Sequence, residues 1–125
     1  MLEAYSLNAT VAANTAIPFD NVTIEKGCTA KLTSPSTISL NKRGVYMVSV
    51  DASSATTPTI QLYKDGVAQA QAQGTGGTPA FTTFVQVTHD NCGCCCSSPT
   101  VLQVLNAGDA EATFTNVNIC VSKLC

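Results

Sequence analysis

The sequence predicts an all-β fold, an antiparallel sandwich or jelly roll of eight to ten short strands. Three observations predict it. Thr and Val dominate, with Ile completing the branched set that suits a pleated and half-buried surface, whereas Lys, Glu, Arg and Leu are sparse. Turn-forming residues recur at short intervals along the whole chain. No stretch carries apolar residues at convincing helical spacing, so no crossover helices join the strands and the pairing is antiparallel.

The elements follow in order. Glu3 to Val11 alternates loosely and ends at Ala-Ala-Asn-Thr. Ile17-Pro18-Phe19 leads into Asn21–Ile24, which Lys26-Gly27 closes. Thr29–Leu32 and Thr37–Leu40 flank a turn at Ser34-Pro35. Asn41-Lys-Arg-Gly44 turns the chain into Val45–Asp51, the strongest strand of all. Thr59–Lys64 and the segment from Val67 to Gln73 flank Asp65-Gly66, a hairpin turn because Gly tolerates positive φ. In that second strand Ala68, Ala70 and Ala72 are expected on one face and Gln69, Gln71 and Gln73 on the other. Gly74 to Pro79 is a loop, and Phe81–Thr88 runs up to a cysteine-rich segment. Thr100–Leu105, a turn at Ala107-Gly-Asp109, and Ala112–Val121 complete the set. Residues 1–13 read as a first strand or N-terminal arm, and residues 14–125 as the jelly-roll domain. A free extended arm can add to a neighbouring sheet edge, which makes residues 1–13 a candidate anchoring element.

At 125 residues there is room for one domain and one core. Charged residues are 11%, less than half of the roughly 25% of an ordinary soluble domain, and uncharged polar residues take their place. The six Lys and Arg are scattered along the chain and the net charge is −2, so the sequence shows no basic patch and nucleic acid is not an expected partner. No apolar run approaches the roughly 20 residues that span a bilayer, and the first residues lack the charged and apolar regions of a signal peptide. A membrane is therefore not expected either. In the last strand Val117, Ile119 and Val121 point one way, with Asn116, Asn118 and Ser122 opposite. Thr82, Gln86 and Thr88 are likewise outward and uncharged. Such a face suits a subunit interface, where charge is depleted, and Asn116, Asn118, Thr82 and Gln86 are its candidate residues.

Seven cysteines cannot all pair within one chain. They are Cys28, Cys92, Cys94, Cys95, Cys96, Cys120 and Cys125. One reading is a surface loop at Cys92–Cys96 whose thiols are free, or bridged to Cys28, Cys120, Cys125 or a neighbouring subunit. A second is a soft metal held by His89 with Cys92 and Cys94. Against the metal, zinc sites favour thiols two to four residues apart, and adjacent cysteines point in different directions. Redox catalysis lacks a Cys-x-x-Cys motif.

Nothing in the sequence resembles an active site. His89 is the only histidine, and no Gly-x-Ser-x-Gly elbow is present. Most of the carboxylates sit in or beside turns, where Asp bends and caps the backbone. Gly74-Thr-Gly-Gly77 lacks the Lys and helix of a phosphate loop. Asn8-Ala-Thr10 and Asn21-Val-Thr23 match the glycosylation sequon, without a secretory context to use it. No cofactor and no enzyme activity are expected.

An ordered set of short motifs is more specific. Ala16-Ile-Pro-Phe-Asp-Asn-Val22 is followed by Ile38-Ser-Leu-Asn-Lys-Arg-Gly-Val-Tyr46, then Leu62-Tyr-Lys-Asp-Gly66, then Leu105-Asn-Ala-Gly-Asp109. From about Ala4 to Val121 this resembles the jelly-roll superfamily of tumour necrosis factor (TNF) and the globular head of complement C1q. In particular it is similar to the phage and bacterial branch found on spore-surface collagen-like proteins and phage head or fibre proteins. Asn41-Lys-Arg-Gly44 departs from that pattern, which has Pro before Gly-x-Tyr, and the cysteine-rich loop is an addition. The resemblance implies a ten-stranded sandwich that assembles as a homotrimer through one sheet, and a role in binding or assembly rather than catalysis. A chain with its own Met1, no collagen-like stalk and no secretion signal is then expected to be a capsid decoration or head-fibre protein. It would sit on the outer surface of the virion against the major capsid protein. The alternative is a receptor- or glycan-binding tip domain of a phage fibre or bacterial surface protein, with its ligand loop at Tyr63, Gly76 and Gly77.

Overall fold

The computed structural model describes residues 1–27, 29–88 and 100–125. Among them there are eleven strands and no helix: β1 (Leu2–Val11), β2 (Thr15–Ala16), β3 (Asn21–Glu25), β4 (Ala30–Ser34), β5 (Thr37–Leu40), β6 (Gly44–Ser54), β7 (Thr59–Lys64), β8 (Val67–Thr75), β9 (Ala80–Val87), β10 (Thr100–Asn106) and β11 (Ala112–Lys123). They form two antiparallel sheets, one ordered β3-β1-β11-β6-β9 and the other β4-β5-β10-β7-β8, with β2 added beside β10. The predicted sandwich is therefore the fold. The strand beyond the expected ten is β2, two residues long and too short to leave a pattern in the sequence.

Alternation builds the two layers, because successive strand residues point to opposite faces, and a register shift between Phe114 and Asn116 interrupts it once in β11. On β11 Phe114, Val117, Ile119 and Val121 are buried, while on β6 the buried set is Tyr46, Val48, Val50 and Ala52. From the other sheet Ile38, Leu40, Ile60, Leu62, Leu102 and Val104 close over them in a single apolar cluster. Each fully buried Leu, Ile or Val of this kind contributes about 1.5–3 kcal/mol relative to exposure. Tyr46 is wholly buried, and its hydroxyl donates to the Lys42 carbonyl at 2.7 Å and to that of Thr29 at 3.3 Å.

Two expectations change. The N-terminal segment is no free arm: β1 pairs along nine residues with β11 and on its other side with β3. Leu2, Ala4, Ala9 and Val11 lie in the core, and β3 covers the outer edge of β1 from Leu2 to Tyr5. In β8 only Ala72 is buried, while Ala68 and Ala70 are exposed. The cause is a bulge, in which five residue steps of β8 oppose two of β7 between the pairs Gln61↔Gln73 and Tyr63↔Ala68.

Because the strands run alternately up and down, every second loop falls at the same end of the sandwich. That geometry gathers residues the sequence scatters. Lys26, Lys42, Arg43, Lys64 and Lys123 all lie at the end where β1 begins and β11 finishes, with Lys31 close by. The opposite end holds Asp109 and Glu111 and, among the described residues, no Lys or Arg. The basic cluster absent from the sequence is thus present in space.

Candidate assembly interface

The outward face of the five-stranded sheet is organised in rows set by register. One row carries Glu3 on β1, Cys120 on β11, Ser49 on β6 and Thr82 on β9; the next carries Tyr5, Asn118, Asp51 and Ala80. On one side of these lie Leu7, Asn116 and Ser53, and on the other Ser122, Met47 and Phe84, then Val45 and Gln86. The four residues that the sequence nominates as interface candidates, Asn116, Asn118, Thr82 and Gln86, therefore share this one face. No Lys or Arg projects from it among the described residues.

Two apolar side chains stand at opposite edges of the face. Phe84 on β9 is 60% exposed and Leu7 on β1 is 57% exposed. Phe84 sits beside Met47, its cross-strand neighbour, so the two make a small apolar patch at that edge. The outer face of the six-stranded sheet is also poor in charge. Its apolar outward residues, Val101, Leu105 and Tyr63, are half-buried instead, and Lys31 projects from it. That sheet also carries an exposed apolar residue, Val67 at the start of its edge strand β8, 62% exposed, but among the described residues no pair at opposite edges of its outer face. Sequence reasoning missed Phe84 and Leu7, although the period-2 pattern of Phe81, Thr83, Val85 and Val87 facing inward already places Phe84 outward.

Between the rows lies a shallow cavity of about 280 Å³, lined chiefly by Glu3, Tyr5, Ser49, Asp51, Asn118 and Cys120. Its polar groups are partly tied to one another. The Asn118 side-chain amide donates to Asn116 Oδ1 at 2.6 Å, the Ser49 and Thr82 hydroxyls meet at 3.2 Å, and Thr23 Oγ1 donates to Glu3 Oε1 at 2.9 Å. Burial pushes the Cys120 thiol above its usual range, and the neighbouring Glu3 carboxylate pushes it further; the N-terminal ammonium opposes both. A neutral thiol there is a poor nucleophile and a poor metal ligand.

The remaining candidates do not converge. Tyr63 lies near the turn of the β7–β8 hairpin, while Gly76 and Gly77 follow its far end, where Gly76 N–H donates to the Pro58 carbonyl. Gly76 lies opposite Pro58, five residue steps along the chain from Tyr63, about 16 Å at 3.3 Å per residue. His89, Cys28, Cys92, Cys94, Cys95 and Cys96 lie outside the described residues. Cys120 and Cys125 are free thiols, the one half-buried and the other exposed. Among the described residues no three His, Cys, Asp or Glu side chains group as metal ligands.

No protein-family model matches the chain, and no curated protein sequence matches it. Solved structures do. The globular domain of zebrafish complement 1qA superposes with a TM-score of 0.68 at 9% identity, over 95% of this chain and 94% of that one. Eiger TNF from S. frugiperda gives 0.62 at 13% identity, over 98% and 92%, and murine APRIL at pH 8.0 gives 0.61 at 11% identity, over 98% and 97%. At these identities the likeness is one of fold: the chain is a jelly roll of the TNF and C1q type.

Proposed function

We propose that the protein is a non-enzymatic assembly module that works as a homotrimer, closed through the outward face of the five-stranded sheet. The observation that carries this is the pair of exposed apolar residues, Phe84 and Leu7, at opposite edges of a face that shows no Lys or Arg among the described residues. A ring needs two different patches on each copy, so that one edge meets the other edge of the next copy. Two separated apolar edges supply that arrangement, and the uncharged Asn, Ser and Thr groups between them can pair across the contact. In its fuller form the proposal is a phage capsid decoration or head-fibre protein on the outer surface of the virion. There, three copies docked together hold the major capsid protein by avidity. The order of the Ile-Pro-Phe, Gly-x-Tyr, Lys-Asp-Gly and Gly-Asp motifs supports that form. The glycan-tip alternative gains no support, since Tyr63 and the Gly76-Gly77 loop do not share a site.

Sedimentation tests the core of the proposal. Wild type is expected at three times the subunit mass at micromolar concentration. Phe84→Asp is expected to sediment as a folded single subunit, because Phe84 adds little to the monomer's own core while losing about 2 kcal/mol of burial per contact. A stable lone wild-type subunit overturns the trimer. Cryo-electron microscopy of whole particles, with density for the trimer on the shell or nowhere, decides the virion form.

A further inference from the structure

We infer that closing the five-stranded face takes up protons, so that three copies hold together more tightly in mild acid than at pH 8. The inference rests on the trimer reading and adds its regulation. Glu3 and Asp51 line one cavity on the face that the neighbours would cover. They stand in adjacent rows two strands apart, roughly 10 Å in the pairing direction. In a threefold ring six carboxylates therefore approach one another around the axis.

What surrounds them decides the sign. Across from Glu3 stands Cys120 on β11, and from β3 comes Thr23, which donates a hydrogen bond. Asp51 faces Asn118 on β11 and Ala80 on β9, and Tyr5 completes the lining. No described Lys or Arg projects into this lining. The nearest cations are the N-terminal ammonium, which donates to the Lys26 carbonyl, and Lys26 itself, both at the end of the sheet beyond Glu3. Covering the face removes water from the carboxylates and adds like charges from two more copies, without adding a cation from the same face. Both effects favour the protonated carboxyl. A carboxyl whose affinity for protons rises on assembly draws the assembly equilibrium forward as pH falls.

Because six carboxyls act together, trimer formation is expected to tighten by more than about tenfold between pH 8 and pH 5. Sedimentation equilibrium between pH 5 and pH 8 reads this for wild type and for the double variant Glu3→Gln, Asp51→Asn. Both positions are on the surface, so the amides should leave the fold intact, which circular dichroism checks. The expected result is acid tightening in wild type, and in the double variant a tighter trimer at pH 8 with little dependence on pH. A wild-type trimer whose stability is flat from pH 5 to 8 overturns the inference while leaving the trimer itself standing. Acid tightening that persists in the double variant also overturns it, since other groups would then take up the protons. Single subunits at every pH overturn the trimer reading and this inference together.

Discussion

Asn106 shows how much one polar residue can organise. It is fully buried at the end of β10, where its side-chain amide donates to the carbonyls of Val11 and Ala110, each at 3.0 Å. Its Oδ1 accepts from Gly108 N–H at 3.2 Å, and its own carbonyl accepts from Asn14 N–H at 2.7 Å. The β1–β2 connection and the β10–β11 turn are thus stapled to one side chain. Asn106→Ala would leave several backbone groups without their partner in a dry site, and a loss of about 2–4 kcal/mol is expected in urea unfolding. An unchanged midpoint would mean that water replaces the amide freely. The sequence shows Asn106 only as part of Leu105-Asn-Ala-Gly-Asp109, a turn signal, because a motif gives no indication that its polar member faces inward. The same is true of Gly44. It reads as the start of a Gly-x-Tyr strand, but its φ of 149° and the Cys125 carbonyl packed where a Cβ would stand give the reason for glycine.

At the scale of elements, the β7–β8 hairpin separates two reasons for glycine. Asp65 and Gly66 have φ of 51° and 82°, both positive as a two-residue type I′ turn requires. Asp65 also ties the turn to β10, accepting from Val101 N–H at 2.9 Å and donating its own N–H to the Val101 carbonyl at 2.8 Å. A Cβ on Gly66 would meet nothing within 4 Å, so Gly66→Ala is expected to cost only the conformational term, about 1 kcal/mol. Gly74 is different. A Cβ there would lie 2.5 Å from the carbonyl oxygen and 2.6 Å from the nitrogen of Ala80, backbone atoms that cannot swing aside. Gly74→Ala should therefore cost more, about 2–3 kcal/mol, as β8 and β9 are forced apart. Equal thermal shifts for the two variants would refute this division. The Asp-Gly turn and the two strands beside it were legible because turn chemistry is local. The facing of the Ala and Gln residues of β8 was not, since a bulge changes which face a residue takes without changing the pattern of types. The interface candidates Asn116, Asn118, Thr82 and Gln86 were legible for the opposite reason: β9 and the second half of β11 keep strict alternation.

For the whole molecule, the distribution of charge matters more than its sum. A net charge of −2 and a pI near 5.0 describe a chain that a cation exchanger should ignore at pH 7. The fold places Lys26, Lys42, Arg43, Lys64 and Lys123 at one end with Glu25 and Asp65, five positive side chains against two negative among the described residues. Asp109 and Glu111 stand at the far end, and Glu3 and Asp51 are turned toward the assembly face. This segregation was not legible along the chain, because it depends on which loops share an end, and only the up-and-down path of the strands decides that. Cyclic symmetry would then set three basic ends on the same side of a trimer, and a resin bead or any other flat anionic surface meets that side alone. The protein should accordingly be retained on a sulfonate resin at pH 7 in about 20 mM salt, where screening reaches only beyond roughly 20 Å, and released by about 0.2 M, where the screening length falls below 10 Å. Lys42→Glu with Arg43→Glu reverses two of the five charges in the β5–β6 loop and should pass through unretained. Wild type in the flow-through at low salt would mean that the net charge, not its placement, governs how the molecule meets a charged surface.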